Sequence, residues 1–282
     1  MSIMNRIIKK IYRFVRYVII QRNVYGLTSF MRVSPDFFVA GVVRSGTTSL
    51  YHNLDKHPSI VKSAYDELGF FDSNFQLGWM WYRSLFPTNI QKRKVEKESG
   101  KFLTFDDTPF YIYNSVVAKR IKKFFPETKI IVVLRNPIDR AYSNYFLGVK
   151  SGNEKRTFED IVEEEIDLVN KRNKKLLFDE TLSETHLGRG LYSDQLKIWF
   201  ELFDRNRIKI IKSEEFSQKP EKIMNEIFEF LEIKECNIDD FEKKNVAKYP
   251  PMKKETREKL VKFFEPFNDE LYNMLNVNFE WK

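Results

Sequence analysis

The sequence predicts an α/β fold in which helices cover both faces of a central parallel β-sheet. Apolar, β-branched runs such as residues 130–134 alternate along the chain with segments that have helical spacing, which is typical of parallel sheets. The 282 residues, 42% of them hydrophobic and 15% aromatic, are enough for one sizeable core. Because no Gly-, Ser- or Pro-rich linker interrupts the chain, we predict one domain at 31–282, preceded by a basic N-terminal arm at 1–30.

Proline and glycine residues mark where the predicted elements begin and end. A strand stops at Gly41, and the helix that follows ends before Pro58. Asn136-Pro137 ends the buried strand 129–134, and Pro220 opens a helix. The further strands are predicted at 59–62, 101–105 and 207–211, and the helices at 47–57, 113–125, 138–148, 158–169, 191–204, 220–231 and 255–275, whereas the charged run 91–101 is predicted as a solvated loop or helix end.

The N-terminal arm has the pattern of an amphipathic helix. Ile7, Ile11, Phe14 and Val18 recur at helical spacing with basic residues between them. No uncharged stretch approaches the roughly 20 apolar residues of a membrane span, and no small-residue cleavage site follows. Two interpretations stay open: the helix packs on the domain, or residues 1–25 lie on a membrane surface.

The charge and the cysteine count narrow the class of partner and the compartment. A formal net charge of +8 favours an anionic partner. This partner could be a nucleotide, a polyanionic glycan, a nucleic acid or a membrane surface, and charge alone does not choose among them. Cys236 is the single cysteine, which favours a reducing compartment and hence the cytoplasm. If the arm lies on a membrane, the cytoplasmic face is the expected one. One cysteine and three histidines make a zinc cluster improbable.

The strand-turn-helix segment at 37–52 predicts a site for a phosphate or sulfate. Helix N-termini present unpaired N–H groups and a partial positive charge, and glycines let the backbone approach an anion. Gly41 and Gly46 lie five residues apart, as in a Walker A loop, but Thr47 stands where that motif has its lysine, and the charge comes earlier at Arg44. This favours a P-loop-type domain that binds phosphate without ordinary ATP hydrolysis. The predicted anion ligands are Arg44, Ser45, Gly46, Thr47, Thr48 and Ser49.

A second anion-binding group is predicted after the strand 129–134. Arg135 stands at the carboxyl end of that strand, which is the edge where α/β sheets bind ligands, and Ser143 follows on the next helix. A guanidinium binds phosphate through paired hydrogen bonds, and a serine hydroxyl donates a further one. The alternative is that Arg135 only covers the strand end or pairs with Asp139.

These two segments together resemble the sulfotransferase family. RSGTTSL at 44–50 is similar to the family's 5′-phosphosulfate loop, and IIVVLRNPIDRAYSNYF at 130–146 is similar to its 3′-phosphate motif. Further similar pieces follow in order, among them HPSIVKSAYDELGFFD, FDDTPFYIY, RGLYSDQLKIWFELF, RIKIIKSEEF and NVAKYPPM, and the pattern is most similar to heparan-sulfate and bacterial carbohydrate sulfotransferases. The resemblance covers about residues 37–282 and implies a P-loop-type α/β fold.

The resemblance implies a reaction and roles for residues. The donor is 3′-phosphoadenosine 5′-phosphosulfate (PAPS), the product is 3′-phosphoadenosine 5′-phosphate (PAP), no metal takes part, and the acceptor is a hydroxyl or amine of a glycan or glycolipid rather than a nucleic acid. Arg44 stabilises the leaving oxygen, and Arg135 and Ser143 hold the 3′-phosphate. Glu67 is the base, with capping of a turn or pairing with a nearby lysine as the alternative. Tyr192, after Arg189, matches a segment that lies across the nucleotide, with packing in the core as the alternative, and Lys248 matches a basic loop over the 3′-phosphate.

Three positions depart from the family pattern. Arg44 replaces the usual lysine, Gly69 replaces a histidine, and Asp107 stands where a lysine precedes Thr108-Pro109. The last two changes are expected to alter acceptor recognition, with Asp72 as a supporting acceptor residue. Two other classes stay open at this point: a P-loop kinase or NTPase, and an anion-binding relative without catalysis.

Overall fold

Four parallel strands form one sheet in the order β2-β1-β3-β4. The computed structural model describes residue 15 and residues 24–171, 182–238, 240–241 and 249–282, and every structural statement below refers to these. Residues 1–14 and 16–23 of the predicted arm, and Lys248, lie outside the described residues. The strands are β1 (Phe37–Gly41), β2 (Phe105–Asp107), β3 (Lys129–Leu134) and β4 (Ile208–Lys212). The predicted α/β class with a parallel sheet is confirmed.

Helices lie on both faces of this sheet and at its carboxyl edge. A helix follows each of β1, β3 and β4 directly, so three helix N-termini come to the same edge. None of the helices in the described ranges combines the length and apolar character that a bilayer crossing requires. The helices are α1 (Thr47–Leu54), α2 (Trp79–Arg83), α3 (Asn89–Ser99), α4 (Ser115–Phe124), α5 (Pro137–Ser151), α6 (Phe158–Lys171), α7 (Tyr192–Leu202), α8 (Ser213–Gln218), α9 (Pro220–Phe230) and α10 (Lys254–Leu275).

Alternation along the apolar strands divides their side chains between two cores. Phe38 and Val132 point to one face, where they pack with α4, α7 and the end of α10. Phe37 and Val133 point to the other face and pack with α1, α8 and α9. Because both faces are covered, β1 and residues 130–134 of β3 read as continuous hydrophobic runs, as the sequence predicts.

The second strand differs from its prediction. The sequence favours a strand at 101–105, but β2 comprises 105–107 and ends in two buried aspartates, Asp106 and Asp107. Asp106 accepts hydrogen bonds from Thr108 Oγ1 at 2.7 Å, Tyr82 Oη at 2.8 Å and Tyr111 Oη at 3.0 Å. Burial raises the pKa of Asp106 to about 6, against the opposing effect of these hydroxyls. Because polar contacts rather than apolar packing accommodate Asp106, hydrophobic patterning does not reveal this strand.

Other helix boundaries also differ from prediction. The run 91–101 belongs mostly to α3, a solvent-exposed helix capped by Thr88, whose Oγ1 accepts from the Gln91 N–H. Helix α1 ends at Leu54, before the predicted residue 57. His57 lies beyond it, where its ring contacts the Lys234 carbonyl oxygen at 2.8 Å in a purely structural role.

Candidate active site

The loop between β1 and α1 leaves the N-terminus of α1 open. Gly46 occupies the cap position with φ of 95°, and no side chain caps this end of the helix. Arg44 also has left-handed backbone, with φ of 72°. The Val43 N–H donates to Tyr113 Oη at 3.1 Å, which supports the loop from the β2 side. The buried Ser45 Oγ has no hydrogen-bond partner among the described residues, so the loop offers both backbone N–H groups and a hydroxyl to an anion.

The two predicted anion-binding groups form one connected cluster. Strands β1 and β3 are neighbours, which brings Arg135 beside the loop after β1. The Arg135 Nη1 donates to the Arg44 carbonyl oxygen at 3.0 Å, and the Arg44 Nε donates to Ser143 Oγ at 3.1 Å. Arg135 and Ser143 thus hold Arg44 through its backbone and its side chain.

The cluster concentrates positive charge. Burial and the charge of Arg135 both lower the pKa of Arg44, the second because two cations lie close together. Within the described part of the chain, neither guanidinium has an ion pair with a carboxylate. Arrangements of this kind favour an anionic ligand.

A cavity of about 680 Å³ lies above this cluster. Its size suits a nucleotide-sized ligand. Glu67 lies on its wall as well, so the predicted base and the predicted anion ligands share one space. The predicted site residues on its lining are Arg44, Ser45, Gly46, Thr47, Thr48, Ser49, Glu67, Arg135 and Ser143.

Glu67 is held at the cavity by its backbone. Its φ of 52° is left-handed, and its N–H donates to the Asp107 carbonyl oxygen at 2.7 Å. Its side chain is accessible from the cavity. Partial desolvation in the wall and the charges of Asp66 and Asp72 raise the pKa of Glu67 above its ordinary value. A carboxylate with a raised pKa is a stronger base, which suits proton abstraction.

Two of the departures from the family pattern lie beside Glu67. Asp107 is buried, and its Oδ1 has no hydrogen-bond partner in the described residues. Burial, then the charge of Glu67, raise the pKa of Asp107 well above its ordinary value. Gly69 has φ of 59°, and a Cβ there would lie 3.0 Å from Asp72 Oδ1, so this chain's turn favours glycine.

Tyr192 and Arg189 are placed behind the cavity rather than on its lining. Tyr192 is buried, and its Oη donates to the Arg135 carbonyl oxygen at 2.8 Å. Arg189 donates from Nε to the Ser183 carbonyl oxygen at 2.6 Å, and its guanidinium lies 5.3 Å from the centre of the Phe110 ring, which does line the cavity. Both residues therefore support groups at the cavity. Direct nucleotide contact by Tyr192 stays a prediction.

The aromatic segment after Glu67 belongs mainly to the core. Phe70 and Tyr82 are buried and stack with their ring centres 4.2 Å apart. Phe71 and Trp81 are buried in the same cluster, and Trp79 packs against it. These rings fix the position of the turn that carries Glu67.

Helix α8 contributes cavity residues that sequence reasoning missed. Ser213, Glu214 and Ser217 line the cavity. Glu214 Oε1 accepts from the Asn136 N–H at 2.8 Å, which ties α8 to the corner that follows Arg135. The available signal was the junction at residue 212, because β4 ends at the same edge as β1 and β3 and a helix begins directly after it.

The sequence of this chain matches one protein family and several of that family's members. The sulfotransferase domain family matches residues 34–268. The membrane-associated sulfotransferase kil1 of Dictyostelium discoideum is 27% identical over 321 residues, covering 88% of this chain and 66% of the relative. The heparan sulfate glucosamine 3-O-sulfotransferase 3B1 of Homo sapiens is 26% identical over 271 residues, covering 88% of this chain and 65% of the relative. The chain thus spans about two thirds of the length of these relatives.

A solved structure supports the fold. The crystal structure of a sulfotransferase from Alicyclobacillus acidocaldarius superposes with a TM-score of 0.66 at 23% identity, covering 87% of this chain and 97% of that one. The open loop after β1, the arginine after β3 and the family match, which spans most of the chain, lead to the same conclusion. The chain belongs to the family of PAPS-dependent sulfotransferases.

Proposed function

We propose that this chain transfers the sulfuryl group of PAPS to a hydroxyl or amine of a carbohydrate, with Glu67 as the base. The observation that carries the proposal is the meeting of two anion-binding groups and one basic carboxylate in a single cavity. PAPS has a phosphosulfate at one end and a 3′-phosphate at the other, so it needs two such groups where an NTPase needs one.

The residues of the loop and of α5 fit this donor. The uncapped N-terminus of α1 and the free Ser45 hydroxyl suit the phosphosulfate end, and Arg135 with Ser143 suits the 3′-phosphate. Lys248 is proposed as a further cation for the 3′-phosphate, as the resemblance implies.

Sulfuryl transfer requires the protein to stabilise the leaving oxygen and to accept a proton from the acceptor, and different residues suit these two tasks. When bound, PAPS supplies the sulfuryl group and a leaving oxygen on which negative charge develops. Arg44 and the N–H groups at the start of α1 stabilise that charge, since they are fixed before the reaction and partly desolvated. Glu67 accepts the proton of the attacking hydroxyl or amine from the cavity wall.

A heparan-sulfate-like carbohydrate is the acceptor class we propose. The human relative acts on heparan sulfate glucosamine by its name, and the net charge of +8 suits an acidic glycan. Asp107 in place of the family's lysine removes a cation near Glu67 that could have bound a sulfate of the acceptor, so we propose that acceptor recognition at that position differs from the family's. We also propose peripheral membrane association, which the name of the Dictyostelium relative supports.

Ligand binding followed by an acceptor screen tests this function. PAP is expected to raise the melting temperature of the protein without magnesium, whereas Mg-ATP is not. Stabilisation by Mg-ATP alone would overturn the proposal. Heparan sulfate, desulfated heparan sulfate and neutral glycolipids are then offered with labelled PAPS. Binding of PAP with no labelled product from any acceptor would leave only the anion-binding class.

Arg135→Ala is expected to weaken PAP binding by about 1 to 3 kcal/mol, because it removes charged hydrogen bonds to the 3′-phosphate. It also removes the contact to the Arg44 carbonyl. Isothermal titration calorimetry measures the change. Arg207→Ala is the matched control, since Arg207 pairs with Glu127 and lies off the cavity. Equal affinity in the two variants would contradict the role of Arg135.

The pH dependence of turnover is expected to follow Glu67. A base works only when deprotonated, so kcat falls as the pH falls through the pKa of Glu67, and its raised pKa moves this fall above the range of an ordinary glutamate. Asp66→Asn removes a charge that raises this pKa, so the fall moves to lower pH. Asp167→Asn on the exposed surface of α6 is the control. An unchanged profile in Asp66→Asn would argue against Glu67 as the titrating base.

A further inference from the structure

A short helix exposes its large apolar side chains and buries its small ones. Residues Tyr25–Met31 form a 3₁₀ helix, in which side chains three residues apart lie on the same face. Val24, Leu27 and Phe30 have this spacing and are 58%, 66% and 73% exposed. Gly26 and Ser29, on another face, are the buried residues. This is the reverse of the usual orientation on a soluble domain.

The beginning of α3 extends this apolar stripe. Arg32, just after the 3₁₀ helix, pairs with Thr88, and the Val33 N–H donates to the Pro87 carbonyl oxygen at 3.0 Å. Ile90 therefore lies near the end of the 3₁₀ helix, and it is 71% exposed. We name Val24, Leu27, Phe30 and Ile90 the exposed apolar surface. An apolar surface of this kind on a soluble domain marks an interaction site.

Cations border the exposed apolar surface on α3. Arg93, Lys94 and Lys97 follow Ile90 at spacings of three, four and seven residues, which places them on the same helix face. All three are exposed, and within the described ranges none of them has an ion pair. The face of α3 thus joins one large apolar side chain with three exposed positive charges.

We propose that the exposed apolar surface and these three cations dock onto an anionic lipid bilayer. Apolar side chains that enter the interface beside cations that face the headgroups are the features that peripheral membrane binding requires. The surface shares no residue with the donor cavity, so the proposal is independent of the sulfotransferase reaction. It rests on the peripheral membrane association proposed above and assigns a described surface to it.

Charge argues against the other occupants. Residues 1–23 precede Val24 directly, and they contain six basic and no acidic residues. This segment would meet the cations of α3 with like charge, and a second copy would bring the same cations to the interface. An anionic bilayer is complementary to both the arm and α3.

Vesicle sedimentation of the full chain tests whether the exposed apolar surface binds the bilayer. Phosphatidylcholine vesicles with and without phosphatidylserine are the probes. Leu27→Ser/Phe30→Ser is expected to bind anionic vesicles at least about tenfold more weakly, because two apolar side chains no longer leave water. The control Val116→Ser/Val277→Ser removes side chains that are 43% and 47% exposed elsewhere, and it should bind like the wild type. Unchanged PAP stabilisation in both variants shows that they are folded.

A charge variant tests the cationic part. Arg93→Gln/Lys94→Gln/Lys97→Gln is expected to lose affinity for anionic vesicles by on the order of a hundredfold, with no change on neutral vesicles. Lys119→Gln/Lys150→Gln/Lys155→Gln makes the same change of charge elsewhere. Binding equal to the wild type in both test variants would overturn the proposal and assign any affinity to residues 1–23. Self-association that Leu27→Ser/Phe30→Ser abolishes, without vesicle binding by the wild type, would also overturn it.

Discussion

Glu67→Gln is expected to lower kcat for sulfuryl transfer by about 10² to 10⁴, because a positioned general base contributes a factor of this size. Glutamine retains the shape of the side chain but cannot accept the proton of the acceptor. The backbone N–H of residue 67, which donates to the Asp107 carbonyl oxygen, is unaffected by the change. The turn that carries the side chain should therefore keep its place.

Two measurements separate this expectation from a general loss of structure. PAP should stabilise Glu67→Gln as it does the wild type, since the anion-binding residues lie elsewhere on the cavity wall. Asp66→Asn, one residue earlier, is the matched control and should retain turnover at neutral pH. Glu67→Gln with wild-type kcat would remove Glu67 from the role of base.

Arg44→Ala is expected to lower kcat by on the order of 10² to 10³, with a smaller effect on PAP affinity, since electrostatic stabilisation matters most where charge develops. The cation at this position lies at the open N-terminus of α1, where the leaving oxygen is proposed to bind. The Arg44 Nε also donates a hydrogen bond to Ser143 Oγ, so we expect some loss of PAP affinity together with the loss of turnover.

Arg44→Lys is the control that distinguishes charge from hydrogen-bond geometry. Lysine restores the charge that the family usually places here and can donate a proton, but it does not reproduce the planar guanidinium that contacts Ser143. We expect kcat near that of the wild type with weaker PAP binding. Equal losses of kcat and of affinity in Arg44→Ala, or no rescue of kcat by lysine, would contradict a role in the transfer step.

The sheet shows which parts of the fold a sequence can predict. Strand β1 is apolar along its whole length and β3 is apolar after Lys129, and each ends at a glycine or proline signal, so their positions were predicted correctly, as was the burial of β3. Strand β2 was misplaced because its last two residues are aspartates. Three hydroxyls accommodate Asp106, and one of them comes from Tyr82, 24 residues away, which no local pattern joins to it.

In the candidate site, too, the sequence predicted some features and missed others. Arg44, Arg135 and Ser143 were predicted because each follows a strand end at a fixed spacing, which is a local property of the chain. Their direct contacts were not predicted: Arg44 was expected at the phosphosulfate and Ser143 at the 3′-phosphate, yet the two side chains are hydrogen-bonded. Glu214 was missed because its role depends on α8 lying beside the Asn136 N–H.

The sequence by itself determined the fold class, the two anion-binding segments and the family, because these depend on short-range patterns of apolar, glycine and charged residues. Only the tertiary structure decided how the segments act together. It brought the carboxyl ends of β1 and β3 to one edge and so joined Arg44 to Ser143. It also set Glu67 beside a buried Asp107, and it placed Leu27 and Phe30 in water. Burial and desolvation arise from residues far apart in the chain, which is why a local pattern does not encode them.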